Sequence, residues 1–256
     1  MLNDPLFLLT ATVAMLMLGL AKGGFAGVGM AAVPLLSLYV PPLMALAISL
    51  PVLMIQDLIT LWWYRHDYDP WNLKVMIPGA IVGIALAWVL SSVVSEDATR
   101  VMIGFIGTGF VAHTYLGRVP PPGRPSALSG VFWGGASAFT STIASAGMPP
   151  FAVHVLPQRM EKMKLVGTIT IFFAVTNWMR IVPYFGLGYL NRESLIISAV
   201  FLPAAIAFNF LGFYLVRWLP TELFYRVAHA LIFLISLAVM VQGVTGLLRG
   251  WGIIAA

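Results

Sequence analysis

The sequence contains no cysteine and very little charge. The first absence excludes disulfides, thiolate metal sites and cysteine nucleophiles, and it leaves the redox compartment open. The second says more. Charged residues make up 9% of the chain and apolar residues 60%, against about 25% and about 45–50% in an ordinary soluble domain. Water is therefore not the solvent for most of this surface. Also missing are a P-loop, a nucleophile elbow, a pair of catalytic carboxylates and any His, Asp or Glu spacing suited to a metal. The chain reads as a polytopic membrane protein that is not an enzyme, needs no cofactor and, if it transports, does so without ATP. A formal charge of +5 fits basic loops on one membrane face rather than nucleic-acid binding.

What is present is eight to ten hydrophobic segments, at 6–21, 25–40, 43–64, 75–94, 101–117, 127–139, 143–156, 165–185, 195–218 and 224–248. Six of them (43–64, 75–94, 101–117, 165–185, 195–218 and 224–248) are long enough to span a bilayer. The other four fall short of the roughly 20 residues a crossing needs, and they form two adjacent pairs. Segment 6–21 has no basic stretch before it and no cleavage signal after it, so it reads as mature protein. Residues 23–56 and 125–158 contain no Asp, Glu, Lys or Arg, and each stretch is broken by Gly and Pro. Each short pair is therefore either a re-entrant hairpin or two short tilted crossings, and either version makes an even number of passages.

That parity lets the basic residues be sorted. Arg65, Lys74, Arg118, Arg124, Arg159, Lys162, Lys164, Arg217 and Arg226 fall on one side, and Arg100, Arg192 and Arg249 on the other. The bias makes the first side cytoplasmic and places both termini outside the cytoplasm. The first pair then enters from outside and the second from inside, as expected of two inverted repeats. Repeat one covers 5–117, the Pro-rich linker 118–125 and repeat two 126–249, each a broken pair followed by three transmembrane helices. "GVGMAAVPLL" (27–36) matches "SAGMPPFAVHVL" (145–156) loosely, as "QDLITLWWY" (56–64) matches "TNWMRIVPY" (176–184). Paired broken segments in two halves point to a substrate site near the midplane. Aromatic residues at segment ends, such as Trp62, Trp71, Tyr115 and Trp251, suit interfacial anchoring.

The candidate site residues follow from those breaks. Lys22 precedes Gly23, Gly24, Phe25 and Gly27, where a tight reversal and a half-helix N-terminus offer an anion both backbone N–H groups and a full charge. The alternative is a shallow lysine that snorkels to the interface. In the second break, Thr140, Ser141, Thr142, Ser145 and Gly147 supply hydroxyl and backbone donors for an oxyanion. Such hydroxyls also commonly bond their own helix. Asp57, beside Gln56 in segment 43–64, is a carboxylate in a costly place and a candidate for coupling to protons or sodium. About two turns from the cytoplasmic end, it could instead reach water or pair with a basic residue. Asn177 is its rough counterpart, and Arg180 is a vestibule cation or, as the favoured reading, an interfacial anchor. His113 and His154 read as packing residues.

The stretch "GGFAGVGMAAVPLL" (23–36), the second break about 120 residues later and the basic loops resemble the TauE/SafE family of sulfite and organosulfonate exporters. In the second break the family's glycine cluster is reduced to Gly147 followed by "MPP". The resemblance implies transport, by export, of a small sulfur oxyanion across the bacterial cytoplasmic membrane. The paired broken segments and the missing ATP motif make that a secondary transporter working by alternating access, and small apolar residues on several helices suit packing within one protomer or, in a homo-oligomer, between two. A passive anion channel is the alternative, and an intramembrane enzyme a more distant one.

Overall fold

The computed structural model describes residues 3–22, 28–116, 123–215 and 221–251. Among them the regular structure is helical throughout. The helices are α1 (Pro5–Lys22), a 3-10 turn (Val28–Ala31) leading into α2 (Ala32–Ser37), α3 (Pro42–Tyr64), α4 (Pro70–Val93) and α5 (Glu96–Leu116). They continue with α6 (Ala127–Ala144), α7 (Met148–Val155) extended by a 3-10 turn (Leu156–Gln158), α8 (Lys162–Met179), α9 (Ile181–Gly186), α10 (Arg192–Leu215) and α11 (Thr221–Gly250). The expected all-α polytopic architecture is present. Six stretches are long and apolar enough to cross a bilayer: Pro5–Lys22, Pro42–Trp62, Pro70–Val93, Met163–Gly186, Arg192–Leu211 and His229–Gly250.

This set of six differs from the expected one. Pro5 and Lys22 extend the first hydrophobic run into an 18-residue helix, which joins the set in place of 101–117. The latter belongs to the 21-residue α5, long enough but with Glu96 and Asp97 in its first turn. The second pair also divides elsewhere. α6 continues unbroken past residue 139, with Thr140 and Thr142 donating back to the Ala136 and Ala138 carbonyls at 2.9 and 2.7 Å inside the intact helix. The break falls at Ser145, whose φ of 54° is left-handed, so an 18-residue helix is followed by the 8-residue α7.

The α6–α7 pair is a hairpin with both ends at one end of the bundle. The Gly123 N–H donates to the Pro157 carbonyl at 3.0 Å, and Asn72 and Gln158 exchange side-chain hydrogen bonds of 3.0 and 2.8 Å. Asp69 caps α4 by accepting from the Asn72 N–H at 2.8 Å and lies 3.6 Å from Arg124 and 3.8 Å from Lys164. In the first pair the 3-10 turn doubles back on α1, with Gly29 against Ala21 and Leu18.

Helix packing follows one pattern: α1 lies along α10, α6 along α4, α5 along α11, and α3 against both α8 and α10, with α8 also on α4. These contacts are unchanged when the two halves are exchanged in chain order. Lipid tails are as apolar as leucine, so close packing rather than hydrophobic burial holds such helices together. The α4–α6 seam shows this most clearly. A Cβ on Gly79 would sit 1.9 Å from the Val131 carbonyl oxygen, and one on Gly83 would sit 2.1 Å from that of Gly135. α3 is the central helix, with 67% of its spanning stretch buried against 22% for that of α11. Its Pro51 interrupts the ladder, and the Ile48 carbonyl one turn back accepts from Ser198 of α10 at 2.8 Å. Isolated Ser hydroxyls commonly satisfy backbone groups near a helix proline in this way.

Candidate functional site

Four residues singled out in the sequence meet in one buried chain of hydrogen bonds. Lys22, the last residue of α1, pairs with Oδ1 of Asp57 on α3. The Asn177 amide on α8 donates to the other carboxylate oxygen at 2.5 Å. Arg180, one turn further on, donates through one terminal nitrogen to the Asn177 side-chain oxygen and through the other to the Ser141 carbonyl near the end of α6. The chain thus runs from the end of α1, across α3 and α8, to the last turn of α6.

Burial makes this cluster expensive. Asp57 is 0% exposed, Arg180 2% and Asn177 3%, whereas the Lys22 side chain keeps 19% exposure. Each charge is tolerated because the next residue bonds it, since an unpaired charge at this depth costs several kcal/mol, roughly. The cluster carries two cations and one carboxylate, leaving one positive charge in excess. The Nε of Arg180 is buried with no acceptor. An interfacial anchor would keep its guanidinium at the headgroups, so this burial corrects the favoured reading of Arg180.

Gln56 points away from the chain, donating to the Ala205 carbonyl of α10 at 3.1 Å, and its own oxygen is buried without a donor. The hydroxyls of the second tip are largely engaged in holding it together. Thr140 Oγ1 lies 3.0 Å from the Ala146 carbonyl as well as near its own helix, and Thr142 bonds the Ala138 carbonyl. Ser145 is the left-handed cap, whose N–H donates to the Ser141 carbonyl at 3.0 Å. Gly147 is tightly enclosed: a Cβ there would be 2.7 Å from the Phe173 ring and 2.8 Å from the Ser137 carbonyl. Pro149 and Pro150 remove two N–H groups from the first turn of α7, so that terminus has few backbone donors for an anion. Gly23, Gly24, Phe25 and Gly27 lie outside the described residues.

Two partners escaped the sequence reading. Tyr184 is fully buried and donates to the Thr142 carbonyl at 2.7 Å, and Ser137 donates to the Gly147 carbonyl at 2.7 Å. Tyr184 closes "TNWMRIVPY", but nothing local to that string shows that its hydroxyl reaches another helix. His154 is packed as expected, buried and stacked on Trp71 with centroids 5.9 Å apart. His113 is instead exposed, and it borders an apolar cavity of about 270 Å³ lined also by Phe110, Trp133, Thr140, Ala146 and Pro150. Among the described residues no group of three His, Asp or Glu could hold a metal ion.

Six apolar spans around a buried cationic cluster, with both broken segments converging on it, define a multi-pass membrane transporter. Residues 11–239 match the family model described as sulfite exporter TauE/SafE, and the chain belongs to that family. It is accordingly a transporter rather than an enzyme. No curated protein matches it, and no solved structure does.

Proposed function

We propose that this chain is a secondary transporter that exports a small sulfur oxyanion, sulfite or an organosulfonate, across the bacterial cytoplasmic membrane. The observation that carries the proposal is the buried chain Lys22–Asp57–Asn177–Arg180–Ser141, which runs from the end of α1 to the last turn of α6 and holds more positive than negative charge. An oxyanion entering there meets Lys22, the one member with appreciable exposure, and Arg180, which has an unused N–H. A guanidinium fork suits the oxygens of a sulfonate or sulfite.

Alternating access follows if residues 5–117 and 126–249 are inverted repeats. The packing pattern that survives exchange of the halves supports this, as does the pairing of Asp57 with Asn177. The loose match of 56–64 with 176–184 makes those two residues equivalents, and equivalent residues on antiparallel helices meet at a twofold axis lying in the membrane plane. Arg65, Lys74, Arg124, Arg159 and Lys164 gather at the Asp69 end of the bundle, which we place in the cytoplasm, with both termini outside.

The test is thermal stabilisation of the purified protein by sulfite, sulfate, thiosulfate, sulfoacetate, taurine and several carboxylates. A ligand bound only by the folded state, present at 100 times its Kd, adds about 2.7 kcal/mol. A selective shift from one sulfur oxyanion is expected. Equal silence from all of them would sink the proposal, and uphill flux in vesicles separates a transporter from a channel.

A further inference from the structure

We infer that Asp57 occupies, on Lys22, the place of the transported anion, and that a proton taken up by Asp57 vacates it and crosses with the anion, so that export draws on the outward anion gradient and not on the proton gradient. The inference rests on the proposed anion transport and adds to it the coupling ion and the order of events.

Both Asp57 oxygens face donors: Lys22 on one, and on the other the amide of Asn177. Asn177 cannot turn its oxygen to Asp57 without losing Arg180, which donates to that oxygen. The surroundings therefore fit an ionised carboxylate and give a protonated one no acceptor. Protonation on the oxygen that faces Lys22 neutralises the group competing for that ammonium, while the other oxygen still accepts from Asn177. Lys22 then becomes available to an oxyanion, together with the Arg180 Nε that already lacks an acceptor. Lys22 is partly exposed while Asp57 is not, so an anion reaches the ammonium from the side opposite the carboxylate and exchanges with it.

The charge count is consistent with this sequence. With Asp57 ionised the cluster has one surplus positive charge, and with Asp57 protonated it has two, so each proton admits one more negative charge. The ionisable side chain bonded to Asp57 is Lys22 from α1, and Arg180 from α8 reaches it only through Asn177. Of the other helices on α3, α5 carries Glu96, Asp97, Arg100, His113 and Tyr115, and α9 carries Tyr184. α2 and α6 contain none, and those of α10 whose side chains are described, Arg192 and Glu193, lie in its first turn. Because the proton binds together with the anion, anion binding weakens as pH rises.

The experiment uses the full-length protein in sodium-free vesicles with the membrane potential clamped and a pH dye inside. The probe is methanesulfonate, which carries no proton of its own near neutral pH, with sulfite as second probe. Wild type is expected to move about one proton with each methanesulfonate. Asp57→Asn preserves the shape and the Asn177 contact, and is expected to bind the probe with affinity independent of pH while its flux carries no proton. Anion flux without protons in wild type, or flux that requires sodium, overturns the inference but leaves the transporter reading standing. Loss of probe binding in a cooperatively melting Asp57→Asn protein also overturns it. If only sulfite moves, identical pH profiles for wild type and variant overturn it. Movement of neither probe removes both readings, and the wild-type proton stoichiometry decides the matter should the variant not fold.

Discussion

The two hairpins do the same job with their charges in opposite places. The first brings its cation at the end of α1, Lys22, and finds its carboxylate on the neighbouring helix. The second has no charged residue between 125 and 158. Its tip presents the Ser141 carbonyl instead, and the neighbouring helix supplies the cation, Arg180. Two halves of similar architecture thus place their positive charges on opposite partners of the tip-to-helix link. The first link is an ion pair, which on the proposed exchange a competing anion and a proton open. The second is a hydrogen bond from a permanent cation to a backbone carbonyl, which no change of protonation near neutral pH removes. On that proposal the first hairpin responds and the second holds.

Breaking the first link should cost most. Lys22→Ala leaves Asp57 fully buried and held by Asn177 alone, and loss of one partner of a buried pair costs about 3–5 kcal/mol. Thermal melts should show most of that loss recovered in Lys22→Ala/Asp57→Asn, where no charge is left unpaired. An additive double variant would mean that the pair is not coupled. Arg180→Lys should cost about 1.5–3 kcal/mol and abolish anion stabilisation, because one ammonium cannot bridge Ser141 and Asn177 as the guanidinium does. Retention of anion binding in that variant would assign the anion to Lys22 alone.

Two smaller changes probe the second tip without touching charge. Gly147→Ala pushes a Cβ against Phe173 and the Ser137 carbonyl and should destabilise by about 1–3 kcal/mol. Thr140→Val removes the hydroxyl that reaches the Ala146 carbonyl across the break, and should cost about 1 kcal/mol while leaving anion affinity unchanged. A large affinity loss in Thr140→Val would show that hydroxyl to be a ligand and not a brace.

The site was half legible in the sequence. Lys22, Asp57, Asn177 and Arg180 each stand out because a charged or amide side chain within an apolar run needs a reason. Their connection does not stand out, since Asp57 and Asn177 are 120 residues apart and meet only where α3 crosses α8. The bonding within the second tip was not legible, for a local reason. Its hydroxyls look like free donors in a string of letters, yet within one turn of helix lies a carbonyl for each of Thr140 and Thr142. α6 itself runs on past residue 139, and the break falls at the left-handed Ser145.

Composition and run length by themselves determined that this is a helical membrane protein with two unusual broken segments. Transfer of a segment into lipid is nearly a sum over its own residues, and such a sum needs no partner helix. Which cation meets which oxygen was decided only by the tertiary structure. Lys22 and Arg180 are both cations beside apolar helices, and one pairs with a carboxylate while the other reaches a backbone carbonyl. Electrostatic and hydrogen-bond energies at this depth depend on ångström-scale distances between helices, and those distances are set by packing that no single segment contains.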